Sequence, residues 1–290
     1  MNDTPQRTLR VGQLWRYPVK SMMGEHVEQT LIGERGVVGD RAWATRDEVR
    51  GGIRGAKKIG PLMQLAARYL AEPEPDAVIA AEITLPDGTT VMSDAPDVNE
   101  RVSAAIEHPV TLWPLQPAAD LDHYRKGPLE QPDFLAELRD MFDLEADEPL
   151  PSLAAFPVEL IEYESMPGTY YDAFPLLVLT DSSLAALQAL APGSDIDVRR
   201  FRPNIVVAAG GAEFVEDAWI GRRLRVGDAV LEIPTGCPRC VMVTREFADL
   251  PQDRSIMRTL VKHHRQELGV YANVIEPGRV RAGDPVELLA

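Results

Sequence analysis

The apolar residues of this chain fall in short runs that glycine or proline soon cuts off, and the runs do not alternate regularly with helical segments. A doubly wound parallel sheet needs that alternation, so the pattern points to a β-rich α+β architecture, barrel-like and with a few helices. Residues 9–20 (LRVGQLWRYPVK) alternate around Leu9, Val11, Leu14 and Trp15, with Pro18 marking a strand end. Residues 26–32 (HVEQTLI) read as one alternating strand, and 34–45 carry a glycine turn ahead of another. Residues 50–70 pass from a Gly/Lys/Arg loop into an apolar stretch. Residues 81–94 read as a hairpin turning at Pro86, Asp87 and Gly88, and 96–106 predict a helix.

The stretch from 115 to 151 is rich in Pro, Asp and Glu and holds one predicted helix over 132–142. Read as a connection, it places a boundary near residue 148 and divides the chain into domains 1–148 and 149–290. Residues 174–193 then predict a strand, a Thr/Asp cap and a helix closed by Pro192 and Gly193. Residues 200–209, 223–234, 240–247 and 286–290 read as further strands, and 254–268 as a helix.

Charge excludes one class of partner. With 45 acidic against 30 basic side chains the net charge is −15, and no Lys/Arg run is present, so nucleic acid is not expected as a partner. No apolar run reaches the length of a membrane span, and residues 1–10 lack the apolar core of a leader, so the expected location is cytoplasmic. The chain's two cysteines, Cys237 and Cys240, form a C-x-x-C pair, too few for a disulfide framework but suited to metal or redox chemistry. A zinc site usually needs four ligands, and His263 and His264, adjacent on a predicted helix, point in different directions. In a thioredoxin-like dithiol the motif opens a helix, whereas here it precedes Val241-Met242-Val243, a β-type run. Gly33-Glu34-Arg35-Gly36 lacks the following helix of a dinucleotide fingerprint.

Four segments stand out: YPVKSM (17–22), GDRAW (39–43), FRPNIVV (201–207) and TGCPRCVMV (235–243), followed by a GDPVELL tail (283–289). In these, and in their order, the chain resembles MOSC-domain proteins that carry an N-terminal MOSC β-barrel domain, the mitochondrial amidoxime-reducing components and their bacterial counterparts among them. The resemblance implies an N-terminal β-barrel-like domain, a C-terminal MOSC β-barrel domain, and a bound molybdenum cofactor (Mo-molybdopterin). The metal ligand would be the cysteine of an Arg-Cys pair, Arg239-Cys240 here, leaving Cys237 a bystander. A thiolate suits a soft metal–sulfur centre; taken alone Cys240 reads more readily as a small core residue on a strand, and the other segments turn the reading to a ligand.

Lys20, Ser21, Arg41, Arg202 and Asn204 match the family's cofactor-binding positions. Arginine supplies a fork for phosphate, lysine a point charge, and asparagine both a donor and an acceptor. On one strand, Arg202 and Asn204 would face the same side. The adjoining Arg199 and Arg200 are rival anion ligands. Thr180 and Ser183, in LTDSSL, also match the family, beside the plainer reading that Thr180 or Asp181 caps a helix. Because these residues come from both halves of the chain, the site is expected where the two domains meet. The implied activity is a molybdenum-dependent oxidoreductase that removes oxygen from a small N-hydroxylated compound, giving the reduced base and water. No iron–sulfur, flavin or nicotinamide motif accompanies it, so electrons are expected from a separate reductase or electron carrier. The alternatives are a non-catalytic cofactor or persulfide carrier using Cys240, and a binding module in which C-x-x-C is incidental.

Overall fold

A computed structural model describes residues 8–75 and 77–289; the residues ahead of Thr8, most of the stretch read above for a leader, lie outside the described part. The strand expected over 9–20 stops at Arg16, before Tyr17 and Pro18, and it does not stay with the half of the chain that it opens. Strand Leu9–Arg16 inserts between Ile205–Ala208 and Pro285–Leu289, antiparallel to both. It thereby closes a seven-stranded barrel whose order runs 9–16, 205–208, 176–180, 267–276, 229–238, 223–226, 285–289 and back to 9–16. Leu176–Thr180 and Ile205–Ala208 form its one parallel pair, joined by a crossover through helix Asp181–Leu190. The register slips by one between Val11 and Gln13, which makes Gly12 an extra residue. That bulge restarts the alternation, so Val11 and Leu14, three positions apart, both face the barrel core with Val178, Val207, Leu224 and Val270.

Several elements depart from the sequence expectation. Residues 26–32 are not one strand. The chain bends at Glu28, so Glu25–Val27 pairs with the end of Leu9–Arg16 while Gln29–Gly33 pairs with Gly278–Arg281. Residues 240–247 are not a strand either: Val241–Thr244 is a 3-10 turn, in which Met242 joins the N-terminal core and Val243 the helical layer. The helix expected over 254–268 ends at His263, and its last residues start the ten-residue strand Glu267–Glu276, which went unforeseen, as did Val110–Pro114. The hairpin at Gly88, helices Val98–Ile106 and Phe134–Met141, and the capped helix after Leu176–Thr180 form as expected.

The N-terminal half builds smaller sheets, Trp43–Asp47 with Val110–Pro114 and a meander of Ala66–Arg68, Glu82–Thr84 and Thr90–Met92. Their core (Val19, Met22, Leu62, Met63, Val102) is completed by Met242, Phe247 and Leu250 from beyond Cys240. Burying each such side chain contributes roughly 1.5–3 kcal/mol, so the segment after Cys240 is held firmly between the two halves. Among the described residues no helix is long and apolar enough to cross a membrane.

Candidate functional site

Cys240 stands at the N-terminus of the 3-10 turn, its carbonyl accepting the Val243 amide at 3.2 Å. With Met242 and Val243 buried on opposite sides, Cys240 is pinned half-buried at a cavity between the two halves of the chain. Cys237, at the end of strand Ala229–Pro238, is buried; burial pushes its thiol pKa up, and its sulfur accepts from Arg239 Nη1 at 2.9 Å. The motif therefore does follow a strand and open a short helical turn. The β-type run read into 241–243 is no longer an argument against a dithiol; the burial of Cys237 beneath Arg239 takes its place.

Lys20, Ser21 and Arg41 line the cavity from one side, Arg202, Asn204, Arg239 and Cys240 from the other. Three of these seven hold left-handed backbone, Ser21 at φ 71°, Arg41 at 49° and Arg202 at 55°. Such conformations cost a side-chain-bearing residue of order 1–2 kcal/mol, and they tend to collect where function fixes the chain. Gly55 makes room for the first, since a Cβ there would come within 2.3 Å of Ser21 Oγ, which accepts the Ala56 amide at 2.8 Å.

The cations differ in how they are compensated. Lys20 Nζ donates to Asp172 Oδ1 at 2.6 Å and to the Tyr170 carbonyl at 2.8 Å; burial, only partly offset by Asp172, lowers its pKa. Burial alone would raise the Asp172 carboxyl, but Lys20 and Lys57, the latter at 3.2 Å, outweigh it and hold it well below the usual carboxylate range. Arg41 is half-buried, and its pairing with Asp40 leaves its pKa raised. Among the described residues Arg202 has no carboxylate partner. Its Nη1 donates to the Met22 carbonyl at 2.6 Å, its guanidinium lies 4.2 Å from the centre of the Tyr17 ring, and Nη2 is buried without a partner. Burial pushes its pKa down to about 10. Arg239 donates to Phe201 O at 2.6 Å and to Cys237, while its Nε is likewise buried and unpartnered. Two orphaned guanidinium nitrogens beside a thiol make a socket for an anion, set within an acidic protein.

The remaining expected residues fall elsewhere or act differently. Thr180 and Ser183 do not line this cavity. Thr180 Oγ1 caps the helix by accepting the Ser183 amide at 3.0 Å, and the two hydroxyls donate to Glu216 Oε2 at 2.7 and 2.5 Å. Arg202 and Asn204 do not share a strand. Arg202 ends the short helix Val198–Phe201, and Asn204 precedes strand Ile205–Ala208. Asn204 spends its side chain on the barrel seam, accepting from Leu177 N at 3.2 Å and donating to Trp15 O at 3.4 Å. Neither rival arginine is free for an anion. Arg199 pairs outside with Asp197 and Asp249, and the fully buried Arg200 gives its protons to the carbonyls of Asp195, Val243, Arg245 and Pro251. His264 is buried and His263 exposed, which keeps them apart as expected.

Sequence reasoning passed over Tyr17, Asp172 and Tyr271. Tyr17 lies inside a quoted motif, 4.2 and 5.4 Å from the guanidiniums of Arg202 and Arg41, and its hydroxyl donates to Pro203 O at 3.1 Å. Asp172 follows two tyrosines in a loop with no periodic signal, and Tyr271 sits on the unforeseen strand.

Comparison with known proteins identifies the family. A model of the MOSC N-terminal beta barrel domain matches residues 8–116, and one of the MOSC domain matches residues 166–287. The chain belongs to the MOSC family. Among MOSC relatives, human mitochondrial amidoxime-reducing component 1 is 27% identical over 98% of this chain and 84% of its own length. Its mouse counterpart is 33% identical over 41% of this chain and 38% of its own. A molybdenum cofactor sulfurase of Oryza sativa subsp. japonica is 31% identical over 25% of this chain and 9% of its own.

Proposed function

We propose that this chain is a molybdenum-cofactor-dependent oxidoreductase that removes oxygen from N-hydroxylated compounds, with Cys240 as the protein's thiolate ligand to the metal. One observation carries the reading: a cavity lined by Lys20, Arg41, Arg202 and Arg239 among others, in which Arg202 Nη2 and Arg239 Nε have no acceptor among the described residues, opening at the half-buried Cys240. Those residues fit Mo-molybdopterin. Arg202 and Arg239 would hold its phosphate and polar pterin edge, Arg41 and Lys20 would add charge, and Ser21 would supply a hydroxyl. When bound, the cofactor supplies two-electron removal of oxygen. The chain binds and orients, presenting one sulfur at a fixed point and a carboxylate, Asp172, near the reacting end. The reaction consumes two electrons and two protons and releases the nitrogen base and water. The electrons come from a separate reductase or small carrier.

Protein made in a host able to synthesise the cofactor should carry near-stoichiometric molybdenum and pterin. It should reduce an N-hydroxyamidine with an artificial electron donor. Cys240→Ser should lose turnover, whereas Cys237→Ser, which keeps an acceptor for Arg239, should retain most of it. Molybdenum loading without turnover would replace this reading with the carrier role, as would sulfane sulfur on Cys240 without molybdenum. Equal loss in both variants would make the pair a working dithiol.

A further inference from the structure

A second cavity, of about 390 Å³, meets the first at Asp172, Pro238, Cys240 and Tyr271. Its walls come from the connection between the two halves of the chain. Phe134 and Leu138 on helix Phe134–Met141 form one side, and Leu153, Phe156, Val158 and Ile161 form the other. Phe156 is held edge-on to the rings of Phe174 and Tyr271 at 5.6 and 5.8 Å, which fixes the inner wall. The strap bearing Val158 and Ile161 is tied down where Lys126 Nζ donates to Leu160 O and the Lys126 amide to Glu162 O at 3.0 Å. Yet Val158 is 74% exposed, Ile161 71% and Phe134 47%. Large apolar side chains gathered at the rim of a concave site mark a surface that something apolar covers.

The chemistry at the two ends selects the occupant. At the inner end two carboxylates, Asp172 and Glu164, face two ammonium groups, Lys20 and Lys57, so this end favours neutral N–H and O–H donors over a net ion. The outer walls are hydrocarbon apart from Lys126, whose ammonium is spent on Leu160 O. The size matches a small molecule, and the direction is fixed, because only the polar end reaches Cys240. Resting on the reading above, we infer that the second cavity is the substrate-body subsite. The chain prefers neutral N-hydroxylated compounds carrying an aromatic or similarly bulky apolar group, with that group lodged between Phe156 and the 158–161 strap.

The test compares two compounds with one head group, N-hydroxybenzamidine and N-hydroxyacetamidine. Binding to the cofactor-loaded protein is measured by calorimetry, and kcat/KM is measured with an artificial donor. The aromatic compound should bind about tenfold or more tightly, as burial of a ring against a methyl group requires. Phe156→Ala and Val158→Asp should each reduce that preference severalfold, the loss falling mainly on the aromatic compound. Val158 is exposed, so its variant keeps the test valid should Phe156→Ala fold poorly. Equal affinities in the unaltered protein, or a preference that survives both variants, would overturn the subsite. If the loaded protein binds the aromatic compound preferentially but reduces neither, the subsite stands and the proposed reaction fails.

Discussion

Arg202 separates a ligand-binding residue from a structural one, because the two roles predict opposite outcomes for its replacement by methionine. The guanidinium is buried, and the fall of its pKa from the ordinary arginine value to about 10 corresponds to about 3 kcal/mol against the charged form. Below pH 10 the group is charged and that penalty stands in full; it is relieved only as pH rises from there toward the ordinary value. Opposing it are the hydrogen bond to Met22 O and the stacking on Tyr17, together of similar size. Breaking a paired buried charge strands its partner and typically costs about 3–5 kcal/mol, but Arg202 has no carboxylate to strand. Arg202→Met should therefore leave the unfolding free energy of the cofactor-free protein within about 1 kcal/mol of the original. The same change removes a charge-assisted bond from the unpartnered Nη2 to the cofactor, worth about 2 kcal/mol or roughly thirtyfold in affinity. Arg202→Lys should lose part of this, since a point charge does not replace the fork. Urea titration of the cofactor-free proteins and metal analysis of the loaded ones supply both numbers. A methionine variant that is several kcal/mol less stable yet fully loaded would refute the argument and make Arg202 a structural arginine.

Two further outcomes follow from parts of the molecule away from the cavity. Burial raises the Glu216 carboxyl above its usual value, so its contribution to stability is present at low pH and is lost as pH rises through the ordinary carboxylate range to the raised value. Glu216→Gln should abolish that fall and be more stable than the parent at pH 7; identical pH slopes in urea titrations would count against it. A fragment beginning at residue 149 lacks Lys20, Ser21, Arg41 and the strand that lies between Ile205–Ala208 and Pro285–Leu289. It should neither unfold cooperatively nor carry molybdenum, and a cooperatively folded, loaded fragment would show the closing strand to be dispensable.

Much of this was legible locally. Alternation located Leu9–Arg16, a Pro-Asp-Gly turn located the hairpin, and Thr180 before an apolar run located a helix start. Position in the sheet was not legible, because pairing across nearly two hundred residues leaves no local trace. That is why strand Leu9–Arg16 reads as N-terminal and packs as C-terminal. Residues 241–243 have β-type side chains, but Met242 and Val243 are drawn to different cores, and tertiary packing overrode propensity. Glu267–Glu276 was lost because the helical pattern before it runs past His263, and Gly269, at φ +77°, interrupts the alternation. In the site, residue types that bear charge were visible, but compensation was not. Arg199, Arg200 and Arg202 lie almost side by side in sequence, and only the folded chain shows that the first two are saturated and the third is not.

That difference bears on how folding and loading are connected. Strand Leu9–Arg16 closes the barrel, and the next six residues, Tyr17 to Met22, supply the ring beside Arg202, the lysine on Asp172, the left-handed serine and the carbonyl that holds Nη1. The barrel cannot close without bringing these groups to the cavity. Nor can the cavity form while the first strand is unpaired. The orphaned N–H groups and the three left-handed residues are thus fixed before any ligand arrives, at a cost carried by the barrel and the two cores that clamp Met242 and Val243. An anion that satisfies those donors binds only the closed state, and by mass action it should stabilise the closing strand as much as the cavity itself.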